Sequence, residues 1–129
     1  MLPKILLAED DALSRFMMSE MLEELEVEYA MAKNGAECTD LIQADPKAYA
    51  MILMDVHMPK KTGLEATRDI RSAAGNPPRD IPLIAVTADQ PWQDPERCAD
   101  AGFTHVIPKP VSMAVLEATI RAVLAIQSF

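Results

Sequence analysis

Apolar residues in this chain collect into short unbroken runs separated by longer stretches of helical spacing. Three runs stand out: Ile5-Leu6-Leu7-Ala8, Met51-Ile52-Leu53-Met54 and Leu83-Ile84-Ala85-Val86. Continuous apolar runs of this length suit strands buried on both faces of a parallel sheet. Two weaker runs, Val27-Glu28-Tyr29-Ala30-Met31 and Phe103-Thr104-His105-Val106-Ile107, are further strand candidates. Between them, Leu13, Phe16, Met17, Met21 and Leu25 fall on one helical stripe, as do Met113, Leu116, Ile120 and Val123. Leu64, Thr67, Ile70 and Ala74 trace a weaker third stripe. Two more helices are expected at about 34–44 and 92–101, because parallel strands need a crossover in each gap.

The order is strand then helix, five times over. That alternation predicts an α/β domain with a parallel sheet and helices on both faces. Gly35, Gly63, Gly75 and Gly102 fall at the expected element ends, and Asn76-Pro77-Pro78-Arg79-Asp80 reads as a loop. With no repeat, low-complexity tract or linker, residues 1–129 read as a single domain that ends just after its last helix, with no output domain.

Composition narrows the function. Half of the 129 residues are hydrophobic and a quarter charged, which is ordinary for a globular protein. Twelve basic and twenty acidic residues give a net charge of −8, and the nearest approach to a basic cluster is Lys60-Lys61. Direct nucleic-acid binding is therefore not expected. Cys38 and Cys98 form no CxxC pair and read as reduced, partly buried thiols. The N-terminal apolar run is too short for a signal peptide or membrane span and meets three acids, so the expected location is the cytoplasm.

In open α/β sheets, ligands bind at the carboxyl ends of the strands. The first run ends in Glu9-Asp10-Asp11, the second in Asp55 and the third in Thr87, and Lys109 follows the fifth. Two carboxylates about 4 Å apart repel by roughly 4 kcal/mol at an effective dielectric of 20, so acids gathered there need a cation or a proton. Mg²⁺ favours such oxygen ligands. Bound there, it would neutralise Asp10 and Asp55 and leave room for a phosphoryl oxygen. Asp55 is then placed to act as a nucleophile, Lys109 to supply positive charge and Thr87 a hydrogen bond.

These segments, with Val56-His57-Met58-Pro59, Gly63-Leu64-Glu65-Ala66-Thr67, Ile81-Pro82, Ala101-Gly102 and Pro108-Lys109-Pro110, resemble the receiver domain of two-component response regulators over about residues 3–125. The resemblance implies a flavodoxin-like fold, a doubly wound parallel sheet with strand order 2-1-3-4-5. It implies Asp55 as phosphoacceptor and Thr87 and Lys109 as contacts of the phosphoryl group. It also implies Asp10 as a direct Mg²⁺ ligand, Glu9 as a ligand through water and the backbone carbonyl of His57 as a third protein contribution, with Mn²⁺ an acceptable substitute. Lys109-Pro110 is expected to be cis. The implied donor is a phosphohistidine on a histidine kinase or histidine phosphotransfer protein, and the implied recipient of the signal a downstream protein. The protein is expected as a monomer or a phosphorylation-dependent dimer. Because it modifies only itself, it is not an enzyme in the turnover sense.

The sequence also departs from that family. Many receivers carry Tyr or Phe three residues before the lysine, where this chain has Val106. His105 should point to the other face of its strand. Output is therefore expected through the fourth helix or through partner contacts. Trp92, between Pro91 and Pro95, is either a partner anchor or packing for its own helix. Lys60-Lys61 is either a solvated pair or a rim for an acidic partner. His57 and Asp89, two residues beyond Asp55 and Thr87, flank the path of an attacking water in the family; otherwise His57 is a surface residue contributing only its carbonyl. Asp11 reads as the cap of the first helix.

Three rivals remain to be weighed. A haloacid-dehalogenase-type phosphatase needs a second Asp where His57 stands. A flavodoxin-type carrier needs a Ser/Thr/Gly-rich phosphate loop where three acids stand. A pseudo-receiver binding partners without phosphorylation is disfavoured by the intact Glu9, Asp10, Asp55, Thr87 and Lys109 set. The Met58-Pro59 and Gly63–Thr67 segments resemble receivers of hybrid kinases more closely, whereas the ends at Met1 and Phe129 suit a stand-alone protein.

Overall fold

The structure is a computed structural model that describes residues 4–127. Met1 and Phe129, on which the stand-alone reading leans, lie outside them. Five parallel strands, β1 (Lys4–Ala8), β2 (Glu28–Ala32), β3 (Met51–Asp55), β4 (Leu83–Thr87) and β5 (His105–Pro108), form one sheet in the order β2-β1-β3-β4-β5. The helices are α1 (Ala12–Glu24), α2 (Gly35–Ala44), α3 (Gly63–Arg71), α4 (Pro95–Ala101) and α5 (Met113–Gln127). This is the flavodoxin-like arrangement expected from the sequence.

The three central strands are buried along almost their whole length, which is why their runs lack polar alternation. Alternate residues feed two cores. Ile5, Leu7, Met51, Leu53, Ile84, Val86 and Ile107 pack with α1 and α5 through Met18, Leu22, Leu116, Ile120 and Val123. Leu6, Ala8, Ile52, Met54, Leu83 and Ala85 pack with α2, α3 and α4 through Cys38, Ile42, Ala66, Ile70 and Cys98. Both cysteines are free and buried, and burial pushes the Cys38 thiol up to about 12. Among the described residues no helix is long and apolar enough to cross a membrane.

Helix starts follow their capping residues. Asp11 accepts from the Ser14 N–H (2.9 Å), as expected, and Asn34 from the Glu37 N–H (2.9 Å). Thr62 and Glu65 close a capping box on α3. Gly102 ends α4 at φ 107°, a left-handed conformation that glycine adopts without steric cost.

Three sequence expectations need correction. The core face of α1 is centred on Met18 and Leu22; of the expected stripe, Met21 and Leu25 pack partly buried against that core, whereas Leu13, Phe16 and Met17 are exposed. The helix carries apolar residues on two faces, and the sheet buries only one. The helix expected over 92–101 is divided into a 3-10 turn (Gln90–Gln93) and α4. Asp94 sits between them in extended conformation and caps α4, and Pro95 has no N–H to continue a helix across it. The weak third stripe holds as far as Arg71; Ala74 lies beyond α3.

Candidate functional site

The register of the sheet gathers the candidate residues. Ala8 pairs with Met54, Asp55 with Val86 and Thr87 with Pro108, so the strands finish in step. Glu9 and Asp10 follow β1, Asp55 closes β3, Thr87 closes β4 and Lys109 follows β5. The Lys109 N–H donates to the Thr87 carbonyl (2.9 Å), and the Glu9 N–H to the Ala32 carbonyl (3.0 Å). Lys109-Pro110 is cis, as expected.

Carboxylate oxygens of Glu9, Asp10 and Asp55 lie within 4.8 Å of one another. Lys109 Nζ is bonded to the Glu9 carboxylate and stands 3.5 Å from Asp55 Oδ2. Three acids thus face one amine. Burial, followed by the hydrogen bond with Glu9 and its charge, pushes the Asp55 carboxyl up to about 8. Glu9 moves the other way. Burial alone would raise it, but hydrogen bonds with Asp55 and Lys109 hold it below the usual carboxylate range. Burial alone would lower the Lys109 amine, and the two carboxylates outweigh that and raise it. An oxygen-only cluster with negative charge left over fits a hard divalent cation, and Glu9, Asp10 and Asp55 are the side chains that could hold one.

Thr87 is buried, and its Oγ1 accepts from the Asp89 N–H (3.0 Å). The His57 N–H donates to Asp55 Oδ1 (3.3 Å), while its exposed ring turns to Asp89, with Nε2 2.8 Å from Oδ2. Lys60 is exposed. Lys61 is instead tied to Asp69 of α3, so the two lysines do not act as a pair.

Two residues support the site in ways the sequence did not declare: Arg15 was not singled out, and Gly63 was read only as an element end within a matching segment. Arg15 donates from one guanidinium nitrogen to the carbonyls of Glu9 (3.0 Å) and Asp10 (2.7 Å), fixing the acidic loop from the first turns of α1. Gly63 admits the loop after β3, since a Cβ there would lie 2.0 Å from the Asp55 carbonyl oxygen. Arg15, one basic residue following three acids, was the available signal for the first. The second depends on a close approach that only the fold reveals.

The profile of the response regulator receiver domain family matches residues 5–121. Histidine protein kinase 1 of Candida albicans is 36% identical over 115 residues, covering 84% of this chain and 5% of that protein. Hybrid signal transduction histidine kinase I of Dictyostelium discoideum is 33% identical over 116 residues, covering 88% of this chain and 7% of the relative. The chain therefore spans only a small part of either kinase. Among solved structures, the receiver domain of a Pseudomonas aeruginosa sensor histidine kinase superposes with a TM-score of 0.84 at 30% identity, covering 97% of this chain and 99% of that one. That domain was solved with a magnesium ion coordinated in its active-site cleft. The same fold recurs, at 22% identity and a TM-score of 0.84, in a Saccharomyces cerevisiae response-regulator receiver crystallised with a histidine phosphotransfer protein, with 99% of this chain and 92% of that one covered. Fold, strand-end chemistry and sequence agree: the chain belongs to the response regulator receiver domain family of two-component and phosphorelay signalling.

Proposed function

We propose that this chain is a phosphoacceptor switch in which Asp55 takes a phosphoryl group from a phosphohistidine on a histidine kinase or histidine phosphotransfer protein. The observation that carries this reading is the convergence of Glu9, Asp10 and Asp55 within 4.8 Å, with Lys109 set against two of them. Asp10, Asp55 and the His57 backbone carbonyl would hold Mg²⁺, or Mn²⁺ in its place, with Glu9 acting through water. Magnesium in the cleft of the 30% identical Pseudomonas receiver supports that assignment. When bound, the ion offsets the carboxylates and the phosphoryl oxygens.

An Asp55 carboxylate oxygen attacks phosphorus while the P–N bond to the donor imidazole breaks. The ring nitrogen keeps the electron pair and gains a proton, and Asp55 becomes an acyl phosphate. Lys109 Nζ, 3.5 Å from Asp55 Oδ2, meets the negative charge of the transferring oxygens, and the Thr87 hydroxyl donates to one of them. On return, water adds to phosphorus, the P–O bond to Asp55 breaks and inorganic phosphate leaves. Each chain carries one phosphoryl group and regenerates its own carboxylate.

A donor histidine must reach Asp55, so its protein has to cover the neighbouring surface. Met17, 48% exposed, lines a cleft of about 280 Å³ there that Glu9, Lys109 and Pro110 also bound, and Leu13 and Phe16 of the same helix are 65% and 61% exposed. Such a patch next to a reactive group suits an apolar helix of the donor protein.

Monophosphoimidazole, a small molecule with the P–N bond of phosphohistidine, tests the reading. Phosphorus NMR should show its consumption accelerated by the protein with Mg²⁺ and not by Asp55→Asn. Equal consumption with both proteins, or with no protein, would exclude it.

A further inference from the structure

The acidic loop after β1 is braced by one residue of α1. The Arg15 N–H donates to the Asp11 carbonyl (2.9 Å), and one guanidinium nitrogen of the same residue donates to the carbonyls of Glu9 (3.0 Å) and Asp10 (2.7 Å). Three consecutive carbonyls thus end on Arg15. The ends of the loop are fixed as well. The Glu9 N–H donates to the Ala32 carbonyl (3.0 Å), and the Asp11 carboxylate accepts from the Ser14 N–H (2.9 Å). Of the three clustered acids, Glu9 and Asp55 are buried and Asp10 is exposed. The Asp10 carboxylate is therefore placed chiefly by the backbone that Arg15 holds.

We infer that Arg15 is a positioning residue that gives the acidic site a preference for Mg²⁺ over Ca²⁺. The inference rests on the proposed Mg²⁺ site. Mg²⁺ demands near-ideal octahedral geometry with oxygens at about 2.0–2.1 Å, whereas Ca²⁺ accepts irregular sets of oxygens at about 2.3–2.6 Å. A site selects the smaller ion to the extent that its ligands are held in place. Arg15 acts through the Glu9 and Asp10 carbonyls rather than by contact with the ion. The sign of its effect separates positioning from charge. As a charge alone, Arg15 repels a cation at the acids, and its removal would tighten the site for both ions. As a brace, its removal frees Asp10 to shift, which Ca²⁺ tolerates and Mg²⁺ does not.

Chelator-stripped wild type and Arg15→Gln are titrated separately with MgCl₂ and CaCl₂, and each Kd is read from amide NMR shifts. In Arg15→Gln the Mg²⁺ Kd should rise by about 10-fold while the Ca²⁺ Kd stays within about twofold, so the preference collapses. Thermal unfolding in chelator shows whether the variant is folded. Arg15→Lys, which keeps the charge on a shorter side chain without the guanidinium, should also lose the preference and serves if Arg15→Gln does not fold. Equal weakening of both ions, tighter binding of both, an unchanged ratio, or a wild type without the preference would overturn the inference and leave the Mg²⁺ site intact. A wild type that binds no Mg²⁺ would overturn the metal assignment and the inference with it.

Discussion

His57 and Asp89 meet across the mouth of the acidic site, with Nε2 of the first 2.8 Å from Oδ2 of the second. Each lies two residues beyond a site residue, Asp55 and Thr87 respectively, so the contact clasps the loop after β3 to the loop after β4. As an exposed pair it adds little to stability, well under about 1 kcal/mol. Its expected role is kinetic, because it narrows the approach of water to an acyl phosphate on Asp55. Asp89→Ala should speed loss of the phosphoryl group by about 3- to 10-fold, a barrier change of roughly 0.7–1.4 kcal/mol. Decay of the phosphorylated mass after donor removal measures this, and an unchanged rate would reduce the clasp to a surface ion pair.

The raised Asp55 carboxyl makes stability depend on pH. Its folded pKa is about 8 against an ordinary 3.8, so between those values the native state holds a proton that the unfolded chain has released. Stability from this group is therefore lost as pH rises from about 4 to about 8, and the loss levels off above that. In metal-free buffer, Asp55→Asn should be more stable than the wild type by up to a few kcal/mol at pH 8, with the advantage vanishing near pH 4. Thermal unfolding of both proteins across that range checks the sign. Added Mg²⁺ should raise the wild-type Tm and leave Asp55→Asn much less affected.

Thr67 Oγ1 on α3 is fully buried and has no hydrogen-bond partner among the described residues. An unsatisfied buried hydroxyl costs free energy, and valine has nearly the same shape. Thr67→Val should stabilise the fold by about 1 kcal/mol, roughly 3–5 °C in Tm. A lower Tm would show that the hydroxyl is satisfied in solution.

Gly63 is the steric limit of the site. A Cβ there would meet the Asp55 carbonyl oxygen at 2.0 Å, and neither backbone segment has a flexible end to yield. Gly63→Ala should cost about 3 kcal/mol or more in urea unfolding. It should also slow phosphorylation, since the loop that carries His57 would have to shift.

Much of this protein could be read from its sequence, and the reasons are local. Ile52, Leu53 and Met54 form an unbroken apolar run because β3 is buried on both faces, and Asp55 stands out as the polar residue that ends it. The same logic places Glu9, Asp10, Thr87 and Lys109 at one edge. Apolar spacing was less informative for α1, where Leu13 and Phe16 are exposed and Met18 and Leu22 are buried. A helix with two apolar faces does not declare which one the sheet will cover. The His57–Asp89 clasp, 32 positions apart in the chain, and the Arg15 bonds to two loop carbonyls depend on how loops approach one another, which no periodicity encodes.

Whether Asp55 is a Mg²⁺-dependent phosphoacceptor is decided by intact-protein mass spectrometry after incubation with acetyl phosphate or phosphoramidate. The protein should gain one phosphoryl group, and that gain should be absent with chelator and absent in Asp55→Asn. No gain with either donor, or a gain that persists in Asp55→Asn, would contradict that role.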